Sequence, residues 1–240
     1  MEKDPIDPSE ILRLFTEDIK TNSIHERLFT AGNMWLVAAA LGPEKTRSEL
    51  IPFLMQENHF EGEIKAIIAE QLGNFVKYVG GPQYAYFIIN PLKNLIDSDE
   101  IFVRQKAIES LAAVCSCIPS SSRDTTITNL ISQLFQGPYT TSRIAGCTLL
   151  PKLYEMVTDQ NKAKLRRGFL ACTRNEIPIV RRAALHAIPS LTNILKQNVI
   201  VSEIVRQALT ERLNDDDESI RVMIPECLPA VAAKIANAER

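Results

Sequence analysis

The sequence predicts an all-α chain of about six stacked helix pairs, on three observations. One short pattern recurs along the 240 residues at near-constant spacing. Its apolar residues fall at helical spacing, and no alternating segment of strand length stands out. The composition, with 45% hydrophobic and 23% charged residues, is that of an ordinary globular chain able to bury a core.

The pattern is a β-branched residue, a cation, small apolar residues along one helical stripe, and then a large aliphatic residue. It is clearest in Val103-Arg104-Gln105-Lys106-Ala107 through Leu111, in Val180-Arg181-Arg182-Ala183-Ala184 through Ile188, and in Ile220-Arg221-Val222-Met223-Ile224 through Leu228. Weaker copies are Ile64-Lys65 with Ile68 and Leu72, Ser142-Arg143 with Gly146 and Leu150, and Ile24-His25 with Leu28. The marker cations fall at 25, 65, 104, 143, 181 and 221, so the intervals are 40, 39, 39, 38 and 40 residues. That spacing matches the HEAT/armadillo period of roughly 40–47 residues, in which each unit is a helix pair that buries its apolar face only by stacking on neighbours. The expected fold is a HEAT-repeat solenoid, one domain over residues 1–240, with units near 7–41, 42–79, 80–118, 119–157, 158–196 and 197–238.

Within each unit the second helix begins at the marker pair and the first lies upstream, as in Arg47 to Leu54 and Tyr86 to Leu92. Pro52 and Pro91 fall inside these two first helices, and a proline removes a backbone donor and bends a helix. A bent first helix is what HEAT units show. Connections carry Gly or Pro: Leu41-Gly42-Pro43, Gly80-Gly81-Pro82 and Gln136-Gly137-Pro138. Pro151, Pro189 and Pro229 stand eight residues after the marker in the last three units, and Pro225 adds another break, so bends are expected there too.

Acidic residues precede several markers: Glu61 and Glu63, Asp97 to Glu100, Glu176, and Asp215 to Glu218. They oppose the partial positive charge of the helix start, contributing about 0.3–1 kcal/mol each. Two roles are open to the marker cation: a solvated residue at a capped helix start, or a rung in an Asp–Arg ladder between successive units.

Charge and motifs exclude several classes. Lys and Arg number 27 against 29 Asp and Glu, a net charge of -2, so the basic excess of nucleic-acid binders is missing. No apolar run is long enough to span a bilayer. The acidic, Pro-containing stretch Met1 to Glu10 is wrong for a secretory signal or a mitochondrial presequence. The five cysteines, Cys115, Cys117, Cys147, Cys172 and Cys227, form no CxxC pair and fit reduced thiols in the cytoplasm or nucleus. His25, His59 and His186 are scattered, with no partners at metal-ligand spacing. Nucleophile elbow, phosphate loop and dinucleotide fingerprint are all missing. The expectation is a binding protein without enzymatic activity, cofactor or metal.

Several blocks resemble the scaffold (A) subunit family of protein phosphatase 2A. They are Glu44 to Leu54 (EKTRSELIPFL), Ala69 to Phe75 (AEQLGNF), Val79 to Tyr84 (VGGPQY), Val103 to Leu111, Thr141-Ser142-Arg143 and Pro178 to Ala184, in the family's order. The resemblance implies a non-catalytic scaffold that offers the turns between the paired helices to regulatory (B-type) subunits. Carried over, the contact positions are Glu100, Tyr139, Thr140, Pro178, Ile179, Arg182, Asp215 and Asp216. The family typically has Trp where Tyr139 stands, which would alter that contact. The resemblance also implies a solenoid more than twice this long, so the platform for the catalytic subunit has no counterpart in these residues. A different HEAT adaptor, such as a transport scaffold, is the first alternative, and a HEAT-like nucleic-acid enzyme the second. The sixth unit, whose apolar residues run from Val199 to Leu213 and from Ile220 to Ile235, carries more of them than one neighbour can cover and is expected to expose an apolar patch able to self-associate.

Overall fold

Every regular element among the described residues is helical. The computed structural model describes residues 7–21, 23–56 and 60–236. His59 lies outside them, as do Met1 to Ile6 and Asn237 to Arg240. The chain divides into two compact units, residues 1–119 and 120–240.

The first unit holds α1 (Pro8–Asp18), α2 (Ile24–Gly32), α3 (Met34–Lys45), α4 (Ile51–Gln56), α5 (Gly62–Gly73), α6 (Tyr86–Ile96) and α7 (Ile101–Cys117). α2 packs on α5 and α5 on α7, while α4 packs on α6. Ile64, Ile68 and Leu72 of α5 and Val103, Ala107, Leu111 and Val114 of α7 lie in the shared core, on the stripe that the repeat pattern marks. At Gly42, φ +74° turns the chain out of one helical direction, and Pro43 opens the next run. The kink expected from Pro52 takes the form of a register change: Thr46–Leu50 is a π-helix, and the Ile51 amide donates to the Thr46 carbonyl. Pro52 has no amide to return to Ser48, and the longer hydrogen-bonded loop accommodates that missing donor. Downstream, Gly80 and Gly81 take φ +99° and +106°, a conformation that needs glycine. Arg47 secures this loop by donating to the Val79 carbonyl (2.6 Å) and lying 4.1 Å from the Tyr84 ring centroid.

The second unit holds α8 (Ser120–Phe135), α9 (Thr140–Leu153), α10 (Asp159–Thr173), α11 (Pro178–Ile194), α12 (Gln197–Val199) and α13 (Glu218–Ala236). α12 runs on into a π-helix over Ile200–Leu209. The second helices α9, α11 and α13 pack in sequence, as do α8 and α10. Helix persists through Pro151, Pro189, Pro225 and Pro229. Pro189 leaves the Leu185 carbonyl without its helical donor, and the Cys227 thiol of α13 donates to it at 3.4 Å. On α13, Val222 and Leu228 are exposed, as is Leu213 before it, while Ile220, Met223, Ile224 and Val231 are buried. The apolar residues of this last helix pair therefore outnumber those that its neighbour covers.

Phe135 packs closely between two glycines. A methyl group built at Gly146 of α9 would stand 2.9 Å from one edge of its ring, and one at Gly168 of α10 2.6 Å from the other. Both are closer than carbon atoms approach, so the ring fills a slot that only glycines leave open. Gly168→Ala is therefore expected to destabilise the second unit by about 1–3 kcal/mol, because the ring has no free side to move into. Urea unfolding of the variant checks this, and unchanged stability would show that α10 can slide.

Candidate protein-interaction edge

The turns between paired helices are built by their arginines. Arg104 donates to the Ser98 and Asp99 carbonyls, both at 2.7 Å. Arg143 donates to Gly137 (2.9 Å) and Pro138 (3.3 Å), and Arg181 to Asn175 (2.9 Å) and Glu176 (3.1 Å). Arg221 does the same to Asp215 (2.5 Å) and Asp216 (3.3 Å). In all four, the acceptors lie six and five residues before the arginine. The guanidinium folds back over the start of its own helix and satisfies two turn carbonyls that no helix reaches. Hydrogen bonds from a charged donor are worth about 1.5–3 kcal/mol, so the clamp fixes the turn firmly. Neither role left open by the sequence describes this. Arg181, at 4% exposure, is not solvated.

Among the described residues, the ladder from a marker cation is formed at Arg181. Arg181 also donates to Asp215 at 2.6 Å and to Asp216 at 2.7 Å, across to the next helix pair. Asp215 further accepts from Arg212 (3.1 Å) and from the Asp217 amide (3.0 Å). Burial opposes its charge, but the Arg181 guanidinium and the Asp217 amide overcome that and lower its pKa from 3.8 to about 2.

On this framework the expected contact residues separate. Asp215 is withdrawn from the surface: it is 5% exposed and serves as the buried counter-ion of Arg181. Tyr139 caps α9 at 61% exposure, Ile179 stands in the first turn of α11 at 55%, and Arg182 and Asp216 are exposed beside them. Arg182 makes no hydrogen bond or ion pair among the described residues. Thr140 and Pro178 are half-buried at the starts of the same two helices. α9 packs on α11, and Arg181 ties the start of α11 to the turn before α13. In the first unit, Glu100 caps α7 and accepts from the Ser98 hydroxyl at 2.5 Å, which is the main cause of its lowered pKa. Ile101 (64% exposed) and Phe102 (46%) follow it and were missed by the sequence reading. Their signal was available: they stand three and two residues before Arg104, as Pro178 and Ile179 do before Arg181.

Among the described residues no cluster of three His, Cys, Asp or Glu is placed to hold a metal, and no helix is long and apolar enough to cross a membrane. Repeated helix pairs joined by clamped turns define a helical-repeat protein. By sequence, the chain is similar over most of its length to the regulatory, or scaffold, (A) subunit of protein phosphatase 2A. The PP2A regulatory (A) subunit of Schizosaccharomyces pombe is 34% identical over 229 residues, 92% of this chain and 38% of that protein. The 65 kDa regulatory subunit of Drosophila melanogaster is 35% identical over 77% of this chain and 31% of its own length. That of Saccharomyces cerevisiae is 31% identical over 95% of this chain and 37% of its own. The chain thus spans about a third of the length of these relatives. No family model matches. Among solved structures, Cex1p has the same fold with a TM-score of 0.66, over 97% of this chain and 44% of that one, at 13% identity. A structure described for microtubule plus end tracking by XMAP215, CLIP-170 and EB1 scores 0.60, over 95% and 94% of the two chains, at 14% identity. These two likenesses establish the HEAT-type repeat fold alone.

The Asp215 hub has a measurable consequence. Its carboxyl holds a proton less tightly in the folded protein than in the unfolded chain. The resulting stability, about 2 kcal/mol, is complete above pH 4 and lost as pH falls towards the folded value of about 2. Asp215→Asn should flatten stability against pH in that window, and Asp215→Ala should cost about 3–5 kcal/mol at pH 7 by stranding a buried guanidinium. Chemical denaturation from pH 2 to 7 checks both, and an unchanged acid limb in Asp215→Asn would remove Asp215 as its source.

Proposed function

We propose that the chain is a non-catalytic scaffold of a protein phosphatase 2A-type complex, which binds a regulatory (B-type) subunit on the turns between its paired helices. The observation that carries this reading is the division of labour within the turns that Arg143, Arg181 and Arg221 clamp. One arginine is spent on holding the backbone, and its neighbours Tyr139, Ile179, Arg182 and Asp216 are left exposed. A backbone already held rigid loses little further entropy on binding, and aromatic and arginine anchors dominate interface energetics. Relatives named as regulatory subunits of this phosphatase share the sequence over most of its length. The free cysteines, four of them buried, support a setting in the cytoplasm or nucleus.

Arg182→Glu should weaken a regulatory subunit by about 2 kcal/mol, some thirtyfold, if it anchors the interface. Its melting temperature should stay nearly unchanged, because the side chain is exposed and pairs with nothing among the described residues. Titration with a purified regulatory subunit, alongside a thermal melt, tests this. Unaltered affinity would move the interface off this edge.

A further inference from the structure

Helix α13 exposes the face that α9 and α11 bury. Four, seven and eleven residues after the turn arginine stand Cys147, Leu150 and Tyr154 in α9, and Leu185, Ile188 and Thr192 in α11. All six are buried, and α9 packs on α11 and α11 on α13. In α13 the same positions are Pro225, Leu228 and Ala232, and all three are exposed. That face also carries a freed acceptor. Pro189 releases the Leu185 carbonyl, and the Cys227 thiol of the covering helix donates to it. Pro229 stands in α13 as Pro189 does in α11, and it has no amide to return to the Pro225 carbonyl.

Helix α2 exposes the complementary face. Arg27, two residues past the first marker, stands where Arg181 stands in α11. Each bonds to an acid 34 residues on, Glu61 at 2.8 Å and Asp215 at 2.6 Å. Ala31, Met34 and Ala38 follow Arg27 by four, seven and eleven residues, and are buried like their counterparts in α11. The face that α13 lays on α11, Ile220, Ile224, Cys227 and Val231, corresponds to Glu26, Thr30, Asn33 and Val37. None of these four is buried, and Phe29 beside them is 74% exposed.

We propose that a second copy of this chain docks its α2 on α13 of the first, continuing the helix stack from one molecule to the next. The register follows from Cys227 on Leu185, in which the sixth residue after one arginine rests on the fourth after the other. Carried over, Asn33 of one copy rests on Pro225 of its neighbour, and its side-chain amide donates to the freed carbonyl. Asn33 gives one amide hydrogen to the Phe29 carbonyl at 2.9 Å and has a second to offer. A turn or two earlier, Phe29 and Glu26 meet Arg221, which clamps its own turn and pairs with no acid among the described residues. One turn later, Val37 meets Leu228. Asp18 and Glu218 border the contact, so its specificity rests on the apolar and hydrogen-bonded pairs rather than on net charge. Because the two faces differ, the contact is heterologous, and each pair of copies can add a third.

Sedimentation equilibrium of the full chain tests this. Its weight-average mass should rise with concentration through dimer and beyond, up to about 1 mM, where weak contacts are populated. Phe29→Glu spoils the α2 face and Leu228→Glu the α13 face. Both residues are exposed, so the melting temperatures should hold, and Phe29→Ser and Leu228→Ser are milder changes at the same positions. Each variant alone should lose association. An equimolar mixture of the two should form one-to-one dimers and nothing larger, because one intact face of each kind remains. A wild-type chain that stays monomeric, a mixture that stays monomeric, or loss of association in Leu228→Glu but not in Phe29→Glu, as for α13 pairing with itself, would each overturn the proposal.

Discussion

The structure depends on one reach: an arginine near the start of a helix folding back to the carbonyls five and six residues before it. A turn between antiparallel helices leaves carbonyls that neither helix can satisfy, and a buried unsatisfied carbonyl is costly. Arg104, Arg143, Arg181 and Arg221 each close two of them. The forked guanidinium makes two such bonds from one side chain and, at Arg181, still meets two carboxylates on the next pair. Backbone, capping and stacking of successive repeats are thereby linked through the same group.

The helices can stack so closely because the sequence removes side chains where they would collide and rearranges hydrogen bonds where prolines intrude. Phe135 sits between Gly146 and Gly168. Thr46–Leu50 shifts to a π register ahead of Pro52. The Leu185 carbonyl freed by Pro189 accepts from Cys227 across the helix contact. Such devices let a repeat vary its sequence while keeping its spacing, which is what a scaffold that displays different side chains on successive turns requires.

Much of this was legible in the sequence. The markers at 25, 65, 104, 143, 181 and 221 located the second helices, because a helix must return an apolar residue every three or four positions to bury one face. Tyr139 and Ile179 were named through the family resemblance, and both stand exposed at helix starts. Asp215 was misassigned to the surface. Its neighbours are acidic and it sits in a turn, and nothing local distinguishes it from Asp216. What buries it is an arginine 34 residues away. The arginine clamp was missed for a different reason: its acceptors lie only five and six residues away, but they are backbone carbonyls and carry no sequence signature.

Arg181 and Arg182 show the division most plainly. The sequence by itself determined that both begin a second helix, that the helix belongs to a repeat of about forty residues, and that the fold is all-α, because these follow from periodicity along one chain. Which arginine clamps the turn and which faces outward was decided only by tertiary structure. Consecutive residues point about 100° apart around a helix, and the packing of α11 against α13 selects the one whose side chain meets Asp215. Arg181 is buried by that contact, and Arg182 is left exposed.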